Sequence, residues 1–139
     1  MALMMLLKSF ITVKKGKTMN HFETVHDETR EGFEIELAFC PEDTHPDDSF
    51  DWSVCGDREE TLQKIDSGSL LWFIARVRVS VTRPDGRSVV IGEDYLGGCL
   101  YESVSDFLNC GYYEDMVNLA IENARDFIDS LKTLEVSED

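Results

Sequence analysis

No run of roughly 18 apolar residues occurs in the sequence, so no helix of it is expected to span a membrane. Basic residues are scarce. The chain has 13 Lys and Arg against 28 Asp and Glu, a formal net charge of −15. That shortage argues against nucleic acid as a direct ligand, because phosphate binding needs Lys and Arg. It argues equally against anionic membrane surfaces. The common catalytic signatures are also missing: G-x-S-x-G, H-E-x-x-H and a Walker loop. Three histidines give a general base little company. The spacings contain no C-x-x-C and no H-x3-H. An enzyme is therefore not expected, and no cofactor is expected.

What is present points to a folded binding module. At 139 residues the chain has the size of one domain. A chain of that length buries about two-thirds of its unfolded surface and needs no disulfide or metal to fold. Hydrophobic residues at 42% and aromatics at 10% argue against disorder. The acidic balance favours solubility and a basic protein partner. The cysteines are Cys40, Cys55, Cys99 and Cys110. The chain is larger than typical stapled scaffolds and no export signal is read in it, so reduced thiols are expected.

The opening "MALMMLLKSFITVKKGKTMN" places its apolar run before its positive charges, the reverse of a signal peptide. Purine-rich codons for Lys15-Gly16-Lys17 would place a ribosome-binding sequence just ahead of Met19. Residues 1–18 are thus expected to be a non-native extension, with 19–139 forming one α+β domain. Without the extension the chain keeps 9 basic and 28 acidic residues, a net −19. An amphipathic membrane anchor is the competing reading of this segment.

Strand and helix periods divide the rest. "HFETVH" at 21–26 reads as a short strand and "DETREG" as a polar turn. Phe33–Phe39 alternates strictly, with Glu34 and Glu36 opposite its four apolar residues. The acidic stretch from Pro41 to Trp52 follows as a loop, with Pro41 and Pro46 blocking a continued strand. Asp57, Glu60 and Gly68 mark the caps of a short helix. Leu70–Thr82 is the strongest strand, and Arg83–Arg87 a turn leading to its partner, "SVVIGEDYL". Gly97-Gly98 reads as a sharp turn. Ser103 and Asp106 cap a second short helix. A long helix from Tyr112 carries an apolar stripe of Met116, Ala120, Ala124, Phe127, Leu131 and Leu134. Tyr112 and Tyr113 read as a staple onto the second short helix. The order is ββ-α-ββ-αα. It implies an antiparallel sheet of about four strands, two hairpins, with helices packed on one face.

The segment "PEDTHPDDSFDW" is acidic and holds no Lys or Arg. Tested as a calcium loop from Asp47, it offers Asp47, Ser49 and Asp51. It has Trp52 where Gly is needed and Arg58 where Glu is needed, so the template fails. A solvated loop pinned by Phe50 and Trp52 is the plainer reading, and it is compatible with a protein contact. Cys40, His45 and Cys55 form the alternative: a metal-binding module or a small metal-dependent enzyme using the nearby acids.

Between Leu70 and Ala124, two stretches stand out. They are Asp94-Tyr95-Leu96-Gly97-Gly98-Cys99 and Tyr112-Tyr113-Glu114-Asp115-Met116. With them the chain resembles a family of small uncharacterised acidic proteins of phages, prophages and bacterial mobile elements. The resemblance implies a bacterial cytoplasm and an accessory gene, and it transfers no catalytic residue. In that setting the acidic surface is expected to meet a basic host protein, inhibiting it or standing in for DNA. The residues expected to carry this contact are Asp43, Asp47, Asp48, Asp51, Glu59 and Glu60, with Trp52 as an aromatic anchor. A homo-oligomeric structural module is a further reading.

Overall fold

The structure is a computed structural model that describes residues 21–54 and 56–134. The expected extension at 1–18 therefore lies outside the described residues, as does Cys55. The strands are β1 (Glu23–Arg30), β2 (Phe33–Pro41), β3 (Leu71–Thr82) and β4 (Ser88–Tyr101). The helices are α1 (Arg58–Ser67), α2 (Val104–Leu108) and α3 (Tyr112–Lys132). The strands form one antiparallel sheet in the order β1-β2-β3-β4. The fold is α+β with the order ββ-α-ββ-αα, as the periodicities indicated.

The alternation in β2 and β3 generates the core directly. Phe33, Ile35, Leu37 and Phe39 point to the same side as Phe73, Ala75, Val77 and Val79, and all eight are buried. Phe107 from α2 and Tyr113, Met116, Val117, Ala120, Ile121 and Ala124 from α3 close that side. Phe39 stacks on Phe73 at 3.8 Å, and Phe107 meets both rings edge-on. α3 can approach because β4 carries Gly92. A Cβ there would lie 2.2 Å from the Ala120 carbonyl oxygen.

Several boundaries differ from expectation. β1 runs through most of the polar stretch to Arg30, and the reversal is confined to Glu31-Gly32. Both residues have positive φ, 55° and 84°, the signature of a two-residue hairpin turn. Polar residues suit β1 because it is an edge strand with one side open to solvent. Gly97-Gly98 lies inside β4 and makes a bulge opposite Ile74, so it is not a turn between elements. The bulge admits a carboxylate: the Gly98 amide donates to Glu42 Oε2 at 2.7 Å.

Tyr113 is buried in the same core as Phe107 of α2 and reaches back to β1, while Tyr112 is 55% exposed. The apolar stripe of α3 is buried only as far as Ala124, and Phe127, Leu131 and Leu134 are exposed. α1 has its expected caps, with Asp57 accepting from the Glu60 amide and Gly68 at φ 84°. It buries none of its residues and stands apart from the helical layer.

Candidate functional site

The connection from β2 to β3 carries the acidic loop and α1. Its anchor is aromatic. Phe50 lies between Trp52 and Trp72, with ring centroids 5.4 and 5.3 Å away. Trp72 Nε1 donates to the Thr44 carbonyl at 2.8 Å. Glu42 fastens the start of the connection to the β4 bulge and also accepts from the Thr44 amide. The loop is thus held against the end of the sheet by apolar contact and two directed polar links. Its charges are left outside.

Asp47 is the electrostatic centre of this insert. It accepts from Arg58 Nε at 2.7 Å, from Arg58 Nη2 at 2.8 Å and from Trp52 Nε1 at 2.8 Å. These bonds, Arg58 first, hold its carboxyl down at about 2. Arg58 also pairs with Glu59 at 2.5 Å, and Glu60 pairs with Lys64 at 3.2 Å. Asp51 accepts from the Ser53 hydroxyl and amide, which hold it below the usual carboxylate range. Asp43 and Asp48 are exposed. The expected contact residues therefore fall together on one insert, but Asp47, Glu59 and Glu60 already face cations. Across residues 42–69, nine acids meet only Arg58 and Lys64, leaving a local net charge of −7.

The alternative metal residues are placed differently. Cys40 is wholly buried at the end of β2, its thiol directed at the Pro41 carbonyl oxygen. His45 sits in the exposed loop and accepts from the Asp47 amide through Nδ1 at 3.1 Å. Cys55 lies outside the described residues. Among the described residues no group of three or more His, Cys, Asp or Glu is arranged to hold a metal ion. Cys99 is buried, which pushes its thiol up to about 12 and makes it a poor nucleophile at neutral pH.

Two further clusters emerge from the pairing register. On the covered side, the edge of β1 meets α3 through Glu28. Its carboxylate accepts from Tyr113 Oη at 2.6 Å and from Arg30 at 2.9 Å, and lies 3.1 Å from His26 Nε2. The Tyr113 bond above all holds it down at about 2. Arg30 extends the link to Glu114 on α3 at 2.6 Å.

On the open side, Arg76 pairs with Glu36 at 3.4 Å and lies under the Phe22 ring at 4.3 Å. Phe22 in turn meets Tyr95 edge-on. Arg78 pairs with Glu93 at 2.6 Å. Strand alternation and the β2–β3 register put Glu34 and Glu36 on one face with Arg76 and Arg78. Alternation alone does not reveal Asp27 directly opposite Glu36, because 27–32 reads as a polar turn, whereas β1 continues to Arg30 and only Glu31-Gly32 reverse the chain.

Comparison with known proteins returns no match among family models, curated proteins or solved structures. The functional reading rests on the geometry.

Proposed function

We propose that this chain is a non-enzymatic binding protein that offers its acidic β2–β3 insert to a basic protein partner. One observation carries this reading: the insert holds a net −7 on a loop and a helix, and that helix buries none of its residues. Elsewhere the cations are spent. Among the described residues, every Lys and Arg except Arg87 sits in an ion pair. The same residues hold 25 acids against 9 bases, so a surplus of carboxylates survives the pairing. A field of that sign steers a basic surface into contact and speeds association. The half-buried Trp52, its ring already fixed by Asp47, supplies a rigid apolar anchor beside those charges. In the mobile-element setting that the resemblance implies, a DNA-binding host protein presents such a surface.

The test is affinity capture from bacterial lysate, followed by association kinetics with the captured partner at about 0.05 M and about 0.5 M salt. The triple variant Asp43→Asn, Asp48→Asn, Asp51→Asn should slow association about tenfold at the lower salt and little at the higher. An on-rate indifferent to both salt and the triple substitution rejects the reading.

A further inference from the structure

The side of the sheet opposite α3 holds a groove of about 770 Å³, whose lining includes Thr24, Asp27, Thr29, Glu34, Ser80 and Val90. Its charges are arranged in a way that the fold alone does not explain. Asp27 on β1 faces Glu36 on β2 as a direct cross-strand partner. Like charges so placed destabilise an antiparallel pair. The two cations on this face are already paired. Arg78 is engaged by Glu93 at 2.6 Å, and Arg76 pairs with Glu36 at 3.4 Å beneath the Phe22 ring, while the Thr24 hydroxyl donates to the same Glu36 carboxylate at 2.6 Å. Among the described residues, Glu34 is met only by the Thr82 hydroxyl, and Asp27 is in no ion pair. Apolar surface borders the carboxylates, with Val90 exposed at 44% and Tyr95 at 51%.

We infer that this open sheet face docks an extended segment of a partner protein with Lys or Arg at alternate positions. The proposal rests on the reading of the chain as a binder of basic protein but places a contact on a different surface. The match is one of spacing as well as sign. Glu34 and Glu36 stand two residues apart on β2, about 6.6 Å, which is the distance between alternate side chains of any extended chain laid beside them. Arriving cations meet Asp27 and Glu34, the carboxylates of this groove that pair with no cation among the described residues. Their aliphatic stems lie along Val90 and Tyr95. A small diffusible polyamine offers the charge without the regular side-chain spacing.

The probe is a short synthetic peptide of alternating Arg and Thr, titrated calorimetrically into the whole protein at low salt. A peptide of the same composition with its Arg residues contiguous, and spermidine, serve as controls. The alternating peptide should bind saturably and more tightly than either control. Asp27→Asn and Glu34→Gln should each weaken it about tenfold. The triple insert variant should change it less than about threefold. Asp27→Asn should also raise the thermal midpoint, because it removes the opposed charge. A binding loss caused by mere unfolding would lower it.

Absence of saturable binding overturns the proposal. So do spermidine or the contiguous peptide binding equally well, an equal loss in the insert variant, or a lowered midpoint for Asp27→Asn. If these fail while the insert variant still slows the captured partner, only the groove is rejected. If the peptide binds the groove while the insert variant leaves association unchanged, only the insert reading is rejected.

Discussion

The two faces of the sheet are built from the same strands and follow opposite rules. On the covered face, every second residue of β2 and β3 is apolar and buried, and α2 and α3 complete the packing. On the other face the same strands place Glu34, Glu36, Arg76, Arg78 and Ser80. The covered face is determined by volume and shape. Around Glu34, Glu36, Arg76 and Arg78 the open face is determined by charge, and its charges only partly cancel, while Ala38, Cys40 and Trp72 toward its other end are buried. The difference teaches where to look for function: the covered face is fully accounted for by folding, while the opposed acids of the open face and the surplus acids of the insert are not.

The contrast is broken most severely at Phe107. It is fully buried and meets Phe39, Phe73 and Tyr101 edge-on. Phe107→Ala should cost about 4 kcal/mol, read as a lower urea midpoint with an unchanged slope. Gly92→Ala comes next. Its new Cβ would meet the Ala120 carbonyl oxygen and, at 2.9 Å, the Ala124 amide, so α3 must move off β4. The expected loss is about 2 kcal/mol or more. Ser80→Ala, on the open side of β3, supplies the contrast and should stay within about 0.5 kcal/mol in the same measurement. A Ser80 effect as large as that of Gly92 would mean that both faces are packed alike.

How much of this could be read from residues alone follows the same division. The period-two alternation of Phe33–Phe39 and Leu71–Val81 revealed the covered face, because burial imposes a pattern on a single strand. The caps at Asp57, Gly68 and Ser103 were legible because each is a local hydrogen-bonding requirement. The open face was not legible in the same way. Its meaning depends on which residue stands opposite which, and that follows from a two-residue turn at Glu31-Gly32 within a polar stretch. The bulge at Gly97-Gly98 stayed hidden for a related reason: it exists to admit Glu42, which lies more than fifty residues earlier in the chain. The insert's residues were identified by composition, but Arg58 closing onto Asp47 was not. Charge counts add over a sequence, whereas ion pairs depend on folded geometry.

A loss smaller than that of Gly92 is expected where the two faces meet the edge of β1. Glu28 belongs to the covered side, and its carboxylate joins β1 to α3 through Tyr113 and, by way of Arg30, Glu114. Glu28→Gln keeps the shape and removes the charge, so it should cost about 1.5 kcal/mol at neutral pH. The dependence on pH separates this role from a packing defect. The Glu28 pKa falls from a usual 4.5 to about 2 in the folded chain, so its contribution is complete above the usual value. It drains away as acid takes the pH down toward 2. The gap in stability between the native chain and Glu28→Gln should therefore be constant from neutrality to about pH 5 and close progressively below it. Other carboxylates titrate in the same range, and the native −15 charge loses its self-repulsion there, but both proteins share those effects and the difference removes them. A gap that persists undiminished at pH 2 would show that the substitution acts through shape. The edge of β1 would then belong wholly to the face that packing controls.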